Sequence, residues 1–287
     1  MMSSNSSKGN SSKNTGSNSV LRILLICFAI LIILYFIYSM IKGYSTYKKT
    51  SPYLINGIVD GTMSQKIKAH NINPPMDNQY GTEMSYSFWI FLNDTNFNDD
   101  CPAGTEELHF KSIFHKGSTD YSKGNHLPLL QMPGVWLYPN TNKLSIRFNT
   151  FENIVESADV GNIPLNSWVQ MSIVLIGNSV DVFVNGNLKK RQKLNGVPKL
   201  NYEDLYISNW GGFNGYLCKL RYFNYAVQPF MLDYLFKEGP ATEFDSRYSN
   251  GLANTSPQLA SNYWMTTGFP NSTGPIGTST STSTSTE

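Results

Sequence analysis

Charge is scarce in this chain. Of its 287 residues only 15% are Asp, Glu, Lys or Arg, and the formal balance is +2. So slight an excess gives no electrostatic footprint for nucleic acid, which requires a basic face against its phosphates. Cysteine and histidine are scarcer still, with three and four residues. No C-x-x-C or Cys/His spacing occurs, which sets aside structural zinc and dithiol redox chemistry. His70, His109, His115 and His126 form no pair at i, i+4, and neither G-x-S-x-G nor H-E-x-x-H is present. Residues 1–19 contain no acid and are almost wholly Ser, Asn, Gly, Lys and Thr. Such a segment buries too little apolar surface to offset the entropy of ordering, and it reads as a disordered polar head.

What the chain does have, directly after that head, is an uncharged run of 19 residues, Ile23 to Ile41. At ~1.5 Å per residue it covers ~29 Å, one hydrocarbon core. Arg22 and Lys42 bracket it, and Tyr35 and Tyr38 lie toward its C-terminal end, where amphipathic rings favour the interface. A secretory signal has an apolar region of only ~7–15 residues, and no small-x-small cleavage site follows Ile41. The expectation is an uncleaved transmembrane helix over 20–41, with the lipid bilayer as its partner. A stalk and lead-in then occupy 42–79, a folded domain 80–240, and a low-complexity Ser/Thr-rich tail 241–287. The alternating run Thr278–Thr286 is either an O-glycosylation substrate or an inert spacer.

Orientation rests on weak signals. Lys8, Lys13 and Arg22 precede the span and Lys42, Lys48 and Lys49 follow it, a tie on the positive-inside count. Glycosylation sequons at Asn93, Asn254 and Asn271 favour an external C-terminal part, although Asn5 and Asn10 carry sequons too. The expectation is a single-pass protein with a cytosolic N-terminus and a lumenal or external domain.

The folded region alternates with period two. Tyr86, Phe88 and Ile90 alternate with Ser85 and Ser87; Leu144, Ile146 and Phe148 share one face. Val169, Met171, Ile173 and Leu175 form a third such row, and Val180, Val182 and Val184 a fourth. Asn185-Gly186 supplies the positive φ of a type I′ hairpin turn. Further strands are expected at Phe110–His115, Val135–Tyr138, Asp204–Ser208 and Tyr216–Phe223. A short helix fits Pro229–Glu238, with Pro229 at N1 and Gly239-Pro240 as its stop. The fold class is all-β, an antiparallel two-sheet sandwich of jelly-roll type with one short C-terminal helix.

Six segments in register carry a resemblance: Trp89-Ile90, Phe114-His115-Lys116-Gly117, Asn166-Ser167-Trp168-Val169, Val182-Phe183-Val184-Asn185-Gly186, Gly212-Phe213-Asn214-Gly215 and Leu220-Arg221-Tyr222-Phe223-Asn224. Together they resemble the laminin-G-like branch of the concanavalin A-like lectin/glucanase superfamily over about 80–240. Ser51-Pro52-Tyr53-Leu54-Ile55-Asn56-Gly57 before such a domain resembles single-span proteins of large DNA viruses of algae and protists, which implies a virion or viral membrane setting.

Some members of that superfamily hydrolyse glycans, using an E-x-D-x-x-E strand. Retaining hydrolysis needs two carboxylates ~5–5.5 Å apart. Glu156-Ser157-Ala158-Asp159 lacks the third acid, and Glu203 and Asp204 are adjacent, pointing to opposite faces of a strand. A non-catalytic reading follows. The resemblance implies ligands at rim loops, sometimes through Ca²⁺, and loops joining an aromatic to amides or acids suit glycans or glycoproteins. These are Asp120-Tyr121, Trp136 with Tyr138-Pro139-Asn140, and Asn209 to Asn214 around Trp210. Trp210 and Phe213 also fit as pins that fix their loop to the core. Asp94, Asp99, Asp100 and Asp120 fit solvated loop acids as well as calcium ligands, so no metal or cofactor is assigned. Cys27 lies in the span; Cys101 and Cys218 are either a disulfide or two unrelated thiols. The competing function is a structural protein whose sandwich contacts other proteins and binds no sugar.

Overall fold

The computed structural model describes residues 15–79, 81–97, 101–102, 104–120 and 127–248. The chain divides into two compact units, 1–52 and 53–287. In the first, helix α1 (Thr15–Thr50) exposes its side chains from Leu21 through Lys49. A helix apolar all round with nothing packed on it suits a hydrocarbon solvent. Leu21–Thr50 is the only stretch among the described residues long and apolar enough to cross a membrane. The helix continues beyond Ile41 because Lys42–Thr50 holds neither a proline nor a capping break before Ser51-Pro52.

The second unit is a two-sheet sandwich of thirteen strands. They are β1 (Ile58–Asp60), β2 (Gln65–Ile67), β3 (Met76–Asn78), β4 (Gly81–Leu92), β5 (Lys111–Gly117), β6 (Gln131–Leu137) and β7 (Leu144–Phe148). There follow β8 (Glu156–Val160), β9 (Trp168–Ile176), β10 (Ser179–Val184), β11 (Asn187–Lys193), β12 (Leu205–Ile207) and β13 (Gly215–Phe223), and then helix α2 (Pro229–Glu238). One sheet runs β1-β13-β4-β9-β10-β11, with β3 also paired to β4; the other runs β2-β12-β5-β6-β7-β8. Every strand pair is antiparallel.

The expected alternation sets the core. Tyr86, Phe88 and Ile90 of β4, Val169, Met171, Ile173 and Leu175 of β9, and Leu144, Ile146 and Phe148 of β7 all enter one buried cluster between the sheets. Ser85 and Ser87, on the other face of β4, meet polar partners: Val227 N donates to Ser85 Oγ at 3.0 Å, and Gln170 Nε2 to Ser87 Oγ at 2.9 Å. Helix α2 closes part of that outer face with Leu232 and Leu235 against Val174, Phe223 and Val227. Asn185 (φ 49°) and Gly186 (φ 76°) make the anticipated turn between β10 and β11.

Two boundaries differ from the sequence reading. Residues 53–79 belong to the sandwich rather than to a stalk: Leu54, Ile55, Val59, Ile67 and Ile72 are core, and β1, β2 and β3 lie here. Strands of three residues give too little alternation to read. Beyond Ala241 the chain stays docked to 248. Phe244 bridges Ile58, and Asp245 accepts Asn56 N at 3.1 Å and Arg247 Nη2 at 2.6 Å. Burial alone would raise the Asp245 carboxyl, but these donors overcome it and bring it down to about 2. Every member of the three core clusters lies from Leu54 to Tyr248, so this unit carries a complete core of its own.

The Lys189-Lys190-Arg191-Gln192-Lys193 run, a local concentration of charge in a chain otherwise poor in it, is edge strand β11. Cations on an edge discourage strand addition by other chains. Arg191 pairs with Asp181 at 2.5 Å.

Candidate recognition site

The connection from β12 to β13 holds the site. Ser208, Trp210, Gly211 and Gly212 all have positive φ (51°, 56°, 88° and 60°). A bulky residue in that region is uncommon, and such residues cluster at functional sites. Gly212 is obligatory here, because a Cβ would strike the carbonyl oxygen of Gly61. Phe213 N donates to that same oxygen at 3.0 Å, and the Phe213 ring is buried in the core. The loop is thus anchored at its far side while Trp210 is turned outward.

The Trp210 indole joins side chains on the outer face of the β2-to-β8 sheet. It stacks on His115 (5.0 Å, 15°) and on Trp136 (5.8 Å, 11°), while Tyr206 stacks on His115 as well (5.2 Å, 17°). Alternation explains the assembly: Phe114, Val135 and Leu205 point inward, so His115, Trp136 and Tyr206 point out. Trp136 is fully buried and donates Nε1–H to Gln131 Oε1 at 2.8 Å, whereas Trp210 keeps 40% of its surface exposed. His115 is fully buried, and burial brings its imidazole down to about 4. Its Nε2 lies 3.2 Å from the Ser118 carbonyl, so Nε2 carries the proton of the neutral ring and Nδ1 is the bare acceptor.

Beneath and beside this stack polar atoms go unmatched. Among the described residues Ser112 Oγ, His115 Nδ1, Gln131 Nε2, Arg147 Nε and Ser208 Oγ are buried without a hydrogen-bond partner. All five belong to this sheet or to the loop that follows β12. Buried polar groups are normally paired by protein, water or ligand. Four more atoms, Tyr86 Oη, Trp168 Nε1, Tyr222 Oη and Asn224 Oδ1, are unmatched elsewhere in the sandwich. Arg147 pairs with Glu107 and sits 5.1 Å from the Phe110 ring.

The residues singled out in the sequence fall in several places. Asn209 Oδ1 accepts from Ser64 Oγ at 2.5 Å. Asn214 Oδ1 accepts from Asn93 Nδ2 at 2.7 Å, and its Nδ2 donates to Thr95 Oγ1. Both amides therefore brace neighbouring loops. Asp120 is exposed, and it follows the C-terminal end of β5, whereas the Trp210 loop follows the C-terminal end of antiparallel β12. The two loops accordingly leave opposite ends of that strand pair. Tyr121, Asp99, Asp100, His126, Asn254 and Asn271 lie outside the described residues. Trp136 is a strand residue rather than a loop residue, and Tyr138 donates to Asp159 at 2.8 Å.

Of the two alternatives open for Cys101 and Cys218, the structure has the unrelated thiols, both free. Cys218 faces outward from β13 into a cluster with Trp89, Ile58 and Ala241, where its Sγ accepts from Ala241 N at 3.3 Å. Burial pushes this thiol up to about 12. Cys101 instead lies by Thr105 Oγ1, at 3.6 Å.

Three of the four acids weighed for catalysis, Glu156, Asp159 and Asp204, are engaged. Glu156 accepts from Thr150, Asn153, Asn195 and Gly196, and Asp159 from Tyr138, Ser145 and Lys143. Asp204 pairs with Lys66 at 2.8 Å and accepts Ala69 N at 2.7 Å. Among the described residues no three His, Cys, Asp or Glu side chains gather as a metal site.

A two-sheet antiparallel sandwich of this strand order defines a concanavalin A-like class of fold. The chain belongs to the laminin G family described as the Concanavalin A-like lectin/glucanases superfamily, which it matches over residues 60–229. No curated protein matches it. Similar solved structures include the botulinum neurotoxin serotype G binding domain, at 12% identity and a TM-score of 0.43, covering 65% of this chain and 47% of that one. The receptor binding domain of botulinum neurotoxin D gives 12% and 0.44, covering 67% and 53%. The binding domain of botulinum neurotoxin DC in complex with rat synaptotagmin II gives 14% and 0.41, covering 54% and 35%. This chain thus spans about half or less of those structures.

Proposed function

We propose that the chain is a membrane-anchored, non-catalytic recognition module whose sandwich binds a glycan or glycoprotein. The observation that carries this reading is Trp210: a part-exposed indole stacked with His115 and Trp136 on a loop of positive-φ residues. A planar ring of this kind stacks on the apolar face of a sugar. Leu21–Thr50 supplies the anchor, with the N-terminus cytosolic and the sandwich outside, on a host or virion membrane. Ca²⁺ has no assigned role. One observation favours the competing reading, a structural protein that binds no sugar: Asn209 and Asn214 already have partners within the fold.

The deciding experiment is a glycan array probed with residues 53–248, with and without Ca²⁺, alongside Trp210→Ala. The recognition reading expects sugar binding by the native domain that Trp210→Ala abolishes while the variant still folds. Silence on the array in both conditions moves the assignment to the structural reading. Retention of the full chain in the membrane pellet after carbonate extraction tests the anchor separately.

A further inference from the structure

Large apolar side chains are exposed at both ends of the sandwich. Away from the Trp210 loop, Phe151, Ile154 and Val197 stand among exposed charges of both signs, Glu152, Glu203, Lys193 and Lys199. The last described residue of the chain lies at the other end. Tyr248 packs against the core, and with Arg247 it lines a small cavity shared with Met63, Ser64 and Gln65. Register sets Gln65 opposite Ile207, the last residue of β12, and Ser64 Oγ donates to Asn209 Oδ1 at 2.5 Å. The tail therefore departs beside the same connection that carries Trp210.

That tail, residues 249–287, holds no charged side chain before Glu287. All three of its aromatic residues fall within Asn262-Tyr263-Trp264-Met265-Thr266-Thr267-Gly268-Phe269-Pro270. Aromatics set in Ser, Thr, Asn and Gly are too few to build a core of their own, so they bury apolar surface only against a plate already built. Trp210 offers one. Its indole is stacked with His115 and Trp136 yet keeps 40% of its surface exposed, and a Cβ on the adjoining Gly211 would meet nothing within 4 Å. Paired indoles suit one another in offset or edge-to-face contact. Charge agrees as well: Lys66 beside Tyr206 is paired with Asp204, and Arg147 with Glu107, so these cations bring no unmatched charge toward an uncharged tail.

Reach is ample. Trp264 lies 16 residues beyond Tyr248, at most ~50 Å of chain, against a strand spacing of ~4.8 Å. Such a link holds Trp264 at a local concentration on the order of millimolar, so a contact too weak to join separate molecules closes within one. We infer that residues 263–269 of this chain dock on the Trp210 face, with Trp264 against the exposed part of the indole. The contact is independent of the sugar-binding reading; where a glycan uses that face, the tail competes with it.

The test titrates a fluorophore-labelled peptide of residues 258–272 onto residues 53–248, which carry a complete core, and onto residues 53–287, following anisotropy. The expected result is saturable binding to 53–248 that is lost when the peptide carries Trp264→Ala, a change that cannot disturb the fold. With a dissociation constant on the order of 0.1 mM for the separate peptide, 53–287 binds it ~10-fold more weakly, because its own tail occupies the face. Trp264→Ala in that longer chain restores the affinity. A nitroxide at Thr267→Cys of the peptide broadens the backbone amide signals of Trp210, Gly211 and Gly212 in 53–248. No saturable binding, equal affinity for the two lengths, or binding indifferent to Trp264→Ala overturns the inference. So does broadening confined to another surface, or a tail contact that forms only as 53–287 self-associates on sedimentation. A silent glycan array with 53–248 bears on the sugar alone and leaves each of these outcomes readable.

Discussion

At the Trp210 end of the sandwich the loop amides have neighbours to bond, whereas at the Phe151 end the large apolar side chains are left mostly exposed. Ser64, Asn93, Thr95, Asn209 and Asn214 are tied to one another across three loops, and Phe213 is sunk in the core. Phe151, Ile154 and Val197 stand on a frame of equal order but remain mostly exposed. Composition is therefore a poor guide to what a loop offers a partner. A loop rich in amides is chemically saturated when those amides brace each other, and an undistinguished Phe-Glu-Asn-Ile sequence becomes a surface when its backbone is held and its side chains are not.

The comparison is broken most forcefully at Trp136. This ring is buried, bonded through Nε1 and stacked under Trp210. Trp136→Ala should cost ~3–5 kcal/mol, the range for deleting a buried aromatic, and chemical denaturation of residues 53–248 measures it. A cost near zero would show that the stack is not part of the folded core.

The next effect is a pH dependence peculiar to the same end. The folded His115 imidazole lies at about 4 against an ordinary 6.5, so the folded state resists its protonation. Above 6.5 the ring is neutral in both states and stability is complete. Between 6.5 and 4 the unfolded chain takes up a proton that the folded chain refuses, and stability falls; below 4 the loss levels off. A displacement of that size corresponds to up to about 3 kcal/mol. Comparing unfolding free energies of wild type and His115→Phe across pH isolates it, because other titrating groups cancel in the difference. Parallel curves between pH 6.5 and 4 would remove His115 from the account.

Trp210→Ala should have a smaller effect on stability, ~1–2 kcal/mol for losing two stacked contacts of a ring already 40% exposed. It should also admit water to His115 and move the pH-dependent loss to a narrower window. A cost as large as that for Trp136 would make Trp210 a core residue and retire it as a recognition group. Binding and melting on this one variant therefore sharpen the contrast between an exposed plate and a buried one.

Much of this architecture is legible in the chain before folding. The rows in β4, β7, β9 and β10, the Asn185-Gly186 turn and α2 follow from local periodicity and turn chemistry, and they lie as read. What escapes is non-local. The strands β1, β2 and β3 are three residues each, too short for a period to show. The residues that close the fold at 244–248 join Ile58, Asn56 and Gly57 across nearly the whole domain. The plate was half visible: Trp210 stood out by its glycines and Trp136 was placed in a rim loop, but His115 read as an ordinary strand residue. Their outward phase opposite Phe114, Val135 and Leu137 was the available signal. Nothing in the sequence distinguishes Phe151 and Ile154 from core residues, since exposure is decided by what packs above them.

That last point yields the smallest expected effect and the most discriminating one. Phe151→Ser with Ile154→Ser removes two large apolar side chains, a change that inside the core would unfold a marginal domain. Here the rings and methyls lose little on unfolding, because 72% and 78% of their surfaces already meet solvent. The backbone they ride on is held by Asn149 and Glu156, which the substitutions leave in place. The unfolding free energy should therefore stay within about 0.5 kcal/mol of wild type, as for surface changes elsewhere. A loss of several kcal/mol would mean that these side chains pack against something in the folded chain, and the end would cease to be a surface at all. An unchanged midpoint would separate the two ends cleanly, one built to hold its own loops together and the other carrying apolar side chains that the fold does not use.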